Sequence, residues 1–95
     1  MILDDEGLPP STLISVYTQS LATHMRLLGP DDPETLTTRG HLASAHESAG
    51  DMSTAITHYV QTLSDRERVL GPDHPQTFLS RVALAAAYQG SGDPD

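Results

Sequence analysis

A chain of 95 residues, 37% of them apolar, is the size of one small domain whose core must come from Leu, Ile, Val, Ala and three Tyr. Its formal net charge of −8 argues against nucleic acid or an anionic membrane as the main partner, because both attract basic surfaces. It contains no Cys, hence no disulfide frame and no thiolate site, and no apolar run approaches the length of a membrane span.

In chain order, "MILDDEGLPP" lacks the basic start and apolar centre of a signal peptide. Residues 1–10 are expected to form a flexible acidic lead, and a cytoplasmic address is the default. From residue 11 the pattern turns helical. Leu13, Ile14, Tyr17, Leu21, Met25 and Leu28 fall on one face and predict a helix over 11–28. Gly29 ends it, because glycine takes the left-handed cap conformation without steric cost, and Pro30 blocks continuation. Pro33 suits a first helical turn and Asp32 is a good N-cap, so a second helix is predicted over 33–49. Its inner stripe is Leu36, Leu42, Ala43, His46 and Ala49. Gly50 and Asp51 end that helix and cap a third over 52–70, with Ala55, Ile56, Tyr59, Val60, Leu63 and Leu70 on one face. Gly71 and Pro72 repeat the earlier stop. A fourth helix is predicted over 75–90, with Phe78, Leu84, Ala85 and Tyr88 inward and Asp73, rather than His74, as its cap.

These elements repeat. A slide of 42 positions lays "LGPDDPETLTTRGHLASAHESAGD" (28–51) over "LGPDHPQTFLSRVALAAAYQGSGD" (70–93), with twelve of 24 positions identical. The same slide matches Ser11, Thr12, Ile14, Tyr17, Gln19, Leu21 and Arg26 to Ser53, Thr54, Ile56, Tyr59, Gln61, Leu63 and Arg68. A fixed period in this range marks a solenoid of stacked helical units.

The unit resembles the tetratricopeptide repeat in its long 42-residue form, as found in kinesin light chains and bacterial multidomain regulators. The resemblance rests on "LGPDHPQT", on "LASAH" and "LAAAY", on the Gly-Asp turn and on Ala55 followed by Tyr59, and covers residues 11–93. It implies an all-α helix-hairpin solenoid of about two units, with the helices in the order B-A-B-A. Ala43, Ala55 and Ala85 would permit close helix contacts. The first helix would lack its preceding partner and the fourth its following one, as in a fragment of a longer array or a unit completed by self-association.

Five His and thirteen carboxylates prompt a search for chemistry. No HExxH pattern or other metal-ligand spacing appears, nor a Ser/His/Asp grouping or a phosphate loop. No catalytic residue, metal or cofactor is expected, and His46 is expected as a partly buried packing residue. Arg39 and Arg81 are equivalent and are expected to meet a neighbouring acid or a helix end.

The resemblance implies a non-catalytic protein–protein interaction scaffold, with a protein or peptide docked on the outward face of helix A. On the second helix that face is Thr37, Gly40, His41, Ser44, Glu47 and Ser48; on the fourth it is Leu79, Val82, Ala83, Ala86 and Gln89. The chain departs from the long repeats at Gly40-His41 and Val82-Ala83, where paired Asn commonly hold ligand backbone. The fourth helix is apolar nearly all round, which favours a covering partner. The alternative function is therefore a homo-oligomerisation module, a homodimer through the fourth helix that completes the truncated repeat with another copy.

Overall fold

The computed structural model describes residues 7–92. The described residues form four α-helices and no strand: α1 (Pro10–Leu28), α2 (Pro33–Ser48), α3 (Met52–Leu70) and α4 (Pro75–Ser91). Each packs against its chain neighbours, α1 on α2, α2 on α3 and α3 on α4, in the B-A-B-A order of a helix-hairpin solenoid. Residues 1–6 of the expected acidic lead, and Asp93 at the far boundary, lie outside the described residues.

The connectors follow from their residues. Gly29 (φ 90°, ψ 163°) and Gly71 (φ 96°, ψ 158°) close α1 and α3, each donating its N–H to two carbonyls of the preceding turn. Their φ is positive, but ψ lies far from the left-handed helical well that the sequence led us to expect. This is the extended positive-φ region open essentially to glycine alone. Pro33 and Pro75 start α2 and α4, where a missing N–H costs no hydrogen bond. Asp32 caps α2 by accepting from Glu34 N at 2.9 Å, and Asp51 caps α3 by accepting from Thr54 N at 3.2 Å. The expected cap of α4 was Asp73; the structure uses His74, whose Nδ1 accepts from Gln76 N at 3.0 Å. His74 occupies the N-cap position that Asp32 occupies one unit earlier, and an unprotonated ring nitrogen accepts as a carboxylate does.

The core is a close helix crossing. Ala43, Ala55, Tyr59 and Ala87 form one buried cluster, with Met52, Ile56, Ala83 and Leu84 packed on it. The small residues at 43, 55 and 87 let the backbones of α2, α3 and α4 approach, and any extra methylene there would be overpacked.

The inward stripe expected for α4 is corrected by the structure. Phe78 is 58% exposed and Ala85 is exposed, while Thr77, Ser80 and Ala87 are buried. One unit earlier, α2 buries both sets: Leu36 and Ala43, the equivalents of Phe78 and Ala85, and also Thr35, Thr38 and Ala45. The reason is neighbour count. α2 lies between α1 and α3, so two faces are covered. Thr35 Oγ1 donates to Gly29 O at the end of α1, and Thr77 Oγ1 donates to Arg66 O of α3, so this polar stripe faces the preceding helix in both units. Leu36 and Ala43 face the following helix, and among the described residues α4 has none.

Candidate functional site

The two A helices, α2 and α4, flank α3 and leave a groove over it. Its floor is a stripe of α3 at Tyr59, Thr62 and Arg66, spaced three and four residues apart and therefore on one face. Two open cavities of about 360 and 290 Å³ make up the groove. They share Thr37, His41, Arg66 and Gln76, so they adjoin at Arg66.

The structure brings six of the eleven candidate residues to this groove: Thr37, Gly40, His41 and Ser44 from α2, and Leu79 and Ala83 from α4. Gly40 has open space where a Cβ would stand, which keeps that wall low. Glu47 is occupied elsewhere, accepting the Tyr59 hydroxyl at 2.9 Å. Ser48 lines a smaller cavity of about 110 Å³ with Leu13 and Tyr17, on the α1 side. Val82, Ala86 and Gln89 are exposed on α4 and line neither cavity.

The groove floor was missed in the sequence. Arg66 is only 8% exposed, and its guanidinium bridges both walls. Nη1 donates to Ser80 Oγ at 2.7 Å and to Gln76 O at 3.4 Å on α4; Nη2 donates to Thr37 Oγ1 at 3.2 Å on α2. Burial lowers its hold on the proton, yet it stays charged at any ordinary pH. Thr62 is 2% exposed and its hydroxyl has no hydrogen-bond partner among the described residues. A signal was present: Thr62 and Arg66 are polar residues at positions where the helical period calls for buried ones. The 42-residue slide also pairs Arg66 with His24, which meets Thr38 at 2.9 Å as Arg66 meets Ser80.

Tyr59 closes the floor towards the core. Burial and the neighbouring Glu47 carboxylate push its hydroxyl up to about 12, so it acts as a neutral donor. Arg39 pairs with Asp65 at 3.0 Å, and Arg81 reaches Glu67 at 3.5 Å and Pro72 O at 3.2 Å, so both tie helices together outside the groove. His46 is half-buried and stacks on His58 with ring centroids 5.7 Å apart, also outside it. Among the described residues no group of three or more His, Cys, Asp or Glu is placed to hold a metal ion, and no helix is long and apolar enough to cross a membrane.

In chemical terms the groove offers donors and acceptors on a floor between low walls. A family model described as the tetratricopeptide repeat matches residues 35–76, which run from the first turn of α2 through α3 to the start of α4. No curated protein and no solved structure matches the chain.

Proposed function

Starting from a chain that carries a tetratricopeptide repeat, a unit that generally mediates protein–protein interaction, we propose a non-catalytic scaffold that holds an extended peptide in the groove between α2 and α4. The observation that carries this reading is the pair of adjoining cavities that meet at Arg66 between α2 and α4, with Gly40, Ser44 and Ala83 keeping the walls low. An extended backbone has unpaired N–H and C=O groups on both edges, and Thr37, Gln76 and Arg66 supply partners for them.

The test fills the groove without disturbing the core. Gly40→Leu together with Ser44→Leu should abolish binding of immobilised peptides that the unmodified chain retains. Equal retention by the filled variant would overturn the reading.

A second reading rests on a separate observation. Phe78 and Ala85 of α4 stand exposed where their equivalents Leu36 and Ala43 lie under α3. With Leu79 and Val82, 56% and 48% exposed, they form an apolar face of the kind that marks an interaction site. We infer that a second copy covers this face, as a homodimer through α4. Light scattering at tens of micromolar should give twice the chain mass, and Leu79→Glu with Val82→Glu should return it to one. A single-chain mass for the unmutated protein would refute self-association.

A further inference from the structure

We propose that the second copy meets α4 with its α1, head to tail, so that the contact between copies reproduces the α2–α3 contact within the chain. The inference rests on the self-association reading above and adds which surface of the second copy is used.

The 42-residue repeat makes α1 the equivalent of α3, and α4 the equivalent of α2. Among the described residues α4 has no following helix and α1 no preceding one. Each leaves open the face that its equivalent buries in the α2–α3 interface. Phe78 and Ala85 stand exposed on α4. On α1, Val16 is 48% exposed, whereas its equivalent His58 stacks on His46 of α2. A symmetric contact between two α4 helices covers only the α4 face. A heterologous α4–α1 contact brings the two open faces together at one junction.

The charges identify the same surfaces independently. Across the α2–α3 interface Arg68 holds Asp31 with two bonds, Nη1 to Oδ2 at 3.0 Å and Nη2 to Oδ1 at 2.8 Å. The repeat places Arg26 on α1 at the position of Arg68, and Asp73 before α4 at the position of Asp31. Both are exposed, and neither side chain forms an ion pair or a hydrogen bond among the described residues. One open end thus carries an unpaired cation and the other an unpaired anion, at the two positions that the repeat pairs internally. Setting α1 of a second copy where a helix like α3 would follow α4 brings Arg26 to Asp73. An exposed pair of this kind fixes register and orientation more than it adds affinity. The same step sets Tyr17 against Gln89, as the Tyr59 hydroxyl donates to Glu47 at 2.9 Å, and Val16 against Tyr88, where His58 meets His46. The Arg39–Asp65 pair has no counterpart, because Thr23 stands in the place of Asp65.

The experiment uses the whole chain in two variants, each blocked at one end by substitutions at exposed positions. Val16→Glu with Arg26→Glu blocks α1, and Phe78→Glu with Ala85→Glu blocks α4. By light scattering at tens of micromolar each variant alone should show the mass of one chain. An equimolar mixture should show the mass of two, since the free α4 of one variant meets the free α1 of the other. It should grow no further, because both outward ends are blocked. In a separate arm, Arg26→Asp in the otherwise unmutated chain should weaken association several-fold by like-charge repulsion with Asp73, and Arg26→Asp with Asp73→Arg in the same chain should restore it. A pair formed by the α1-blocked variant alone overturns the head-to-tail contact in favour of a symmetric one through α4, and leaves self-association standing. A mixture that stays at the mass of one chain, or a double reversal that restores nothing, overturns it as well. A single-chain mass for the unmutated protein overturns self-association itself.

Discussion

Arg39 and Asp65 meet across the α2–α3 interface, Nη1 to Oδ2 at 3.0 Å, with both side chains largely withdrawn from water. Asp65 also accepts from Arg68 at 3.2 Å and from Gln61 at 3.3 Å, so one carboxylate gathers three donors. Asp65→Ala leaves Arg39 buried without a counter-charge and should lower stability by about 2–4 kcal/mol in denaturant titrations. Arg81 is the equivalent of Arg39 one unit later, but its bond to Glu67 is exposed. Arg81→Ala should therefore cost less than about 1 kcal/mol. Equal losses for the two variants would contradict the assignment of Asp65 as the inter-helix anchor.

Gly71 carries backbone strain for any other residue. A Cβ there would meet nothing within 4 Å, so the penalty of Gly71→Val is conformational and not a clash. At φ 96° and ψ 158° it should amount to about 1–3 kcal/mol. Gly40→Ala is the control. Gly40 also has open space around its Cβ position but lies inside α2, where alanine should stabilise by up to about 1 kcal/mol. Thermal melts of the two variants should move in opposite directions.

Ala43 and Ser44 are adjacent on α2 and have opposite environments. Ala43 is fully buried against Ala55 and Tyr59, whereas Ser44 opens to the groove. Ala43→Leu should cost about 1–3 kcal/mol by overpacking, and Ser44→Leu should leave stability within about 0.5 kcal/mol while obstructing the groove. Chemical denaturation that ranks Ser44→Leu as the more damaging change would mean a different rotation of α2.

His58 makes the fold sensitive to acid. Burial lowers its affinity for a proton, and the neighbouring His46 and Arg39 add like-charge repulsion; Asp51 lies on the other side of His46, at 3.6 Å. The unfolded chain takes up that proton near the ordinary histidine value of about 6.5, the folded chain only below it. In that window the unfolded state binds more protons, so stability rises with pH. The contribution is complete above about pH 6.5 and is lost as pH falls through the lower folded value. Melting temperatures between about pH 7.5 and 5 should drop for the unmodified chain and fall less for His58→Gln. An identical slope in the two proteins would exclude His58 as the source.

Much of the fold was legible before any coordinates. The 42-residue slide, the helical spacing and the Gly-Pro connectors act locally, so "LGPDDPET" and "LGPDHPQT" specify the same stop and restart wherever they occur. The groove walls at Thr37, Gly40, His41 and Ser44 were readable because they lie opposite the apolar stripe of their own helix. The floor was not. Thr62 and Arg66 stand on the buried face of α3 by period but are polar by type, and only the closing of α2 and α4 over them decides between the two.

What the sequence determined by itself is the repeating unit: where each helix starts and stops, that Asp32 and Asp51 cap α2 and α3, and which apolar faces are able to be buried. What only the tertiary structure decided is which of those faces is covered. Leu36 and Phe78 hold the same place in the repeat, yet one is fully buried and the other is 58% exposed. Periodicity is a property of one helix and can be read along one segment. Burial belongs to a pair of helices, and it depends on a neighbour that α2 has on both sides and α4, among the described residues, has on one.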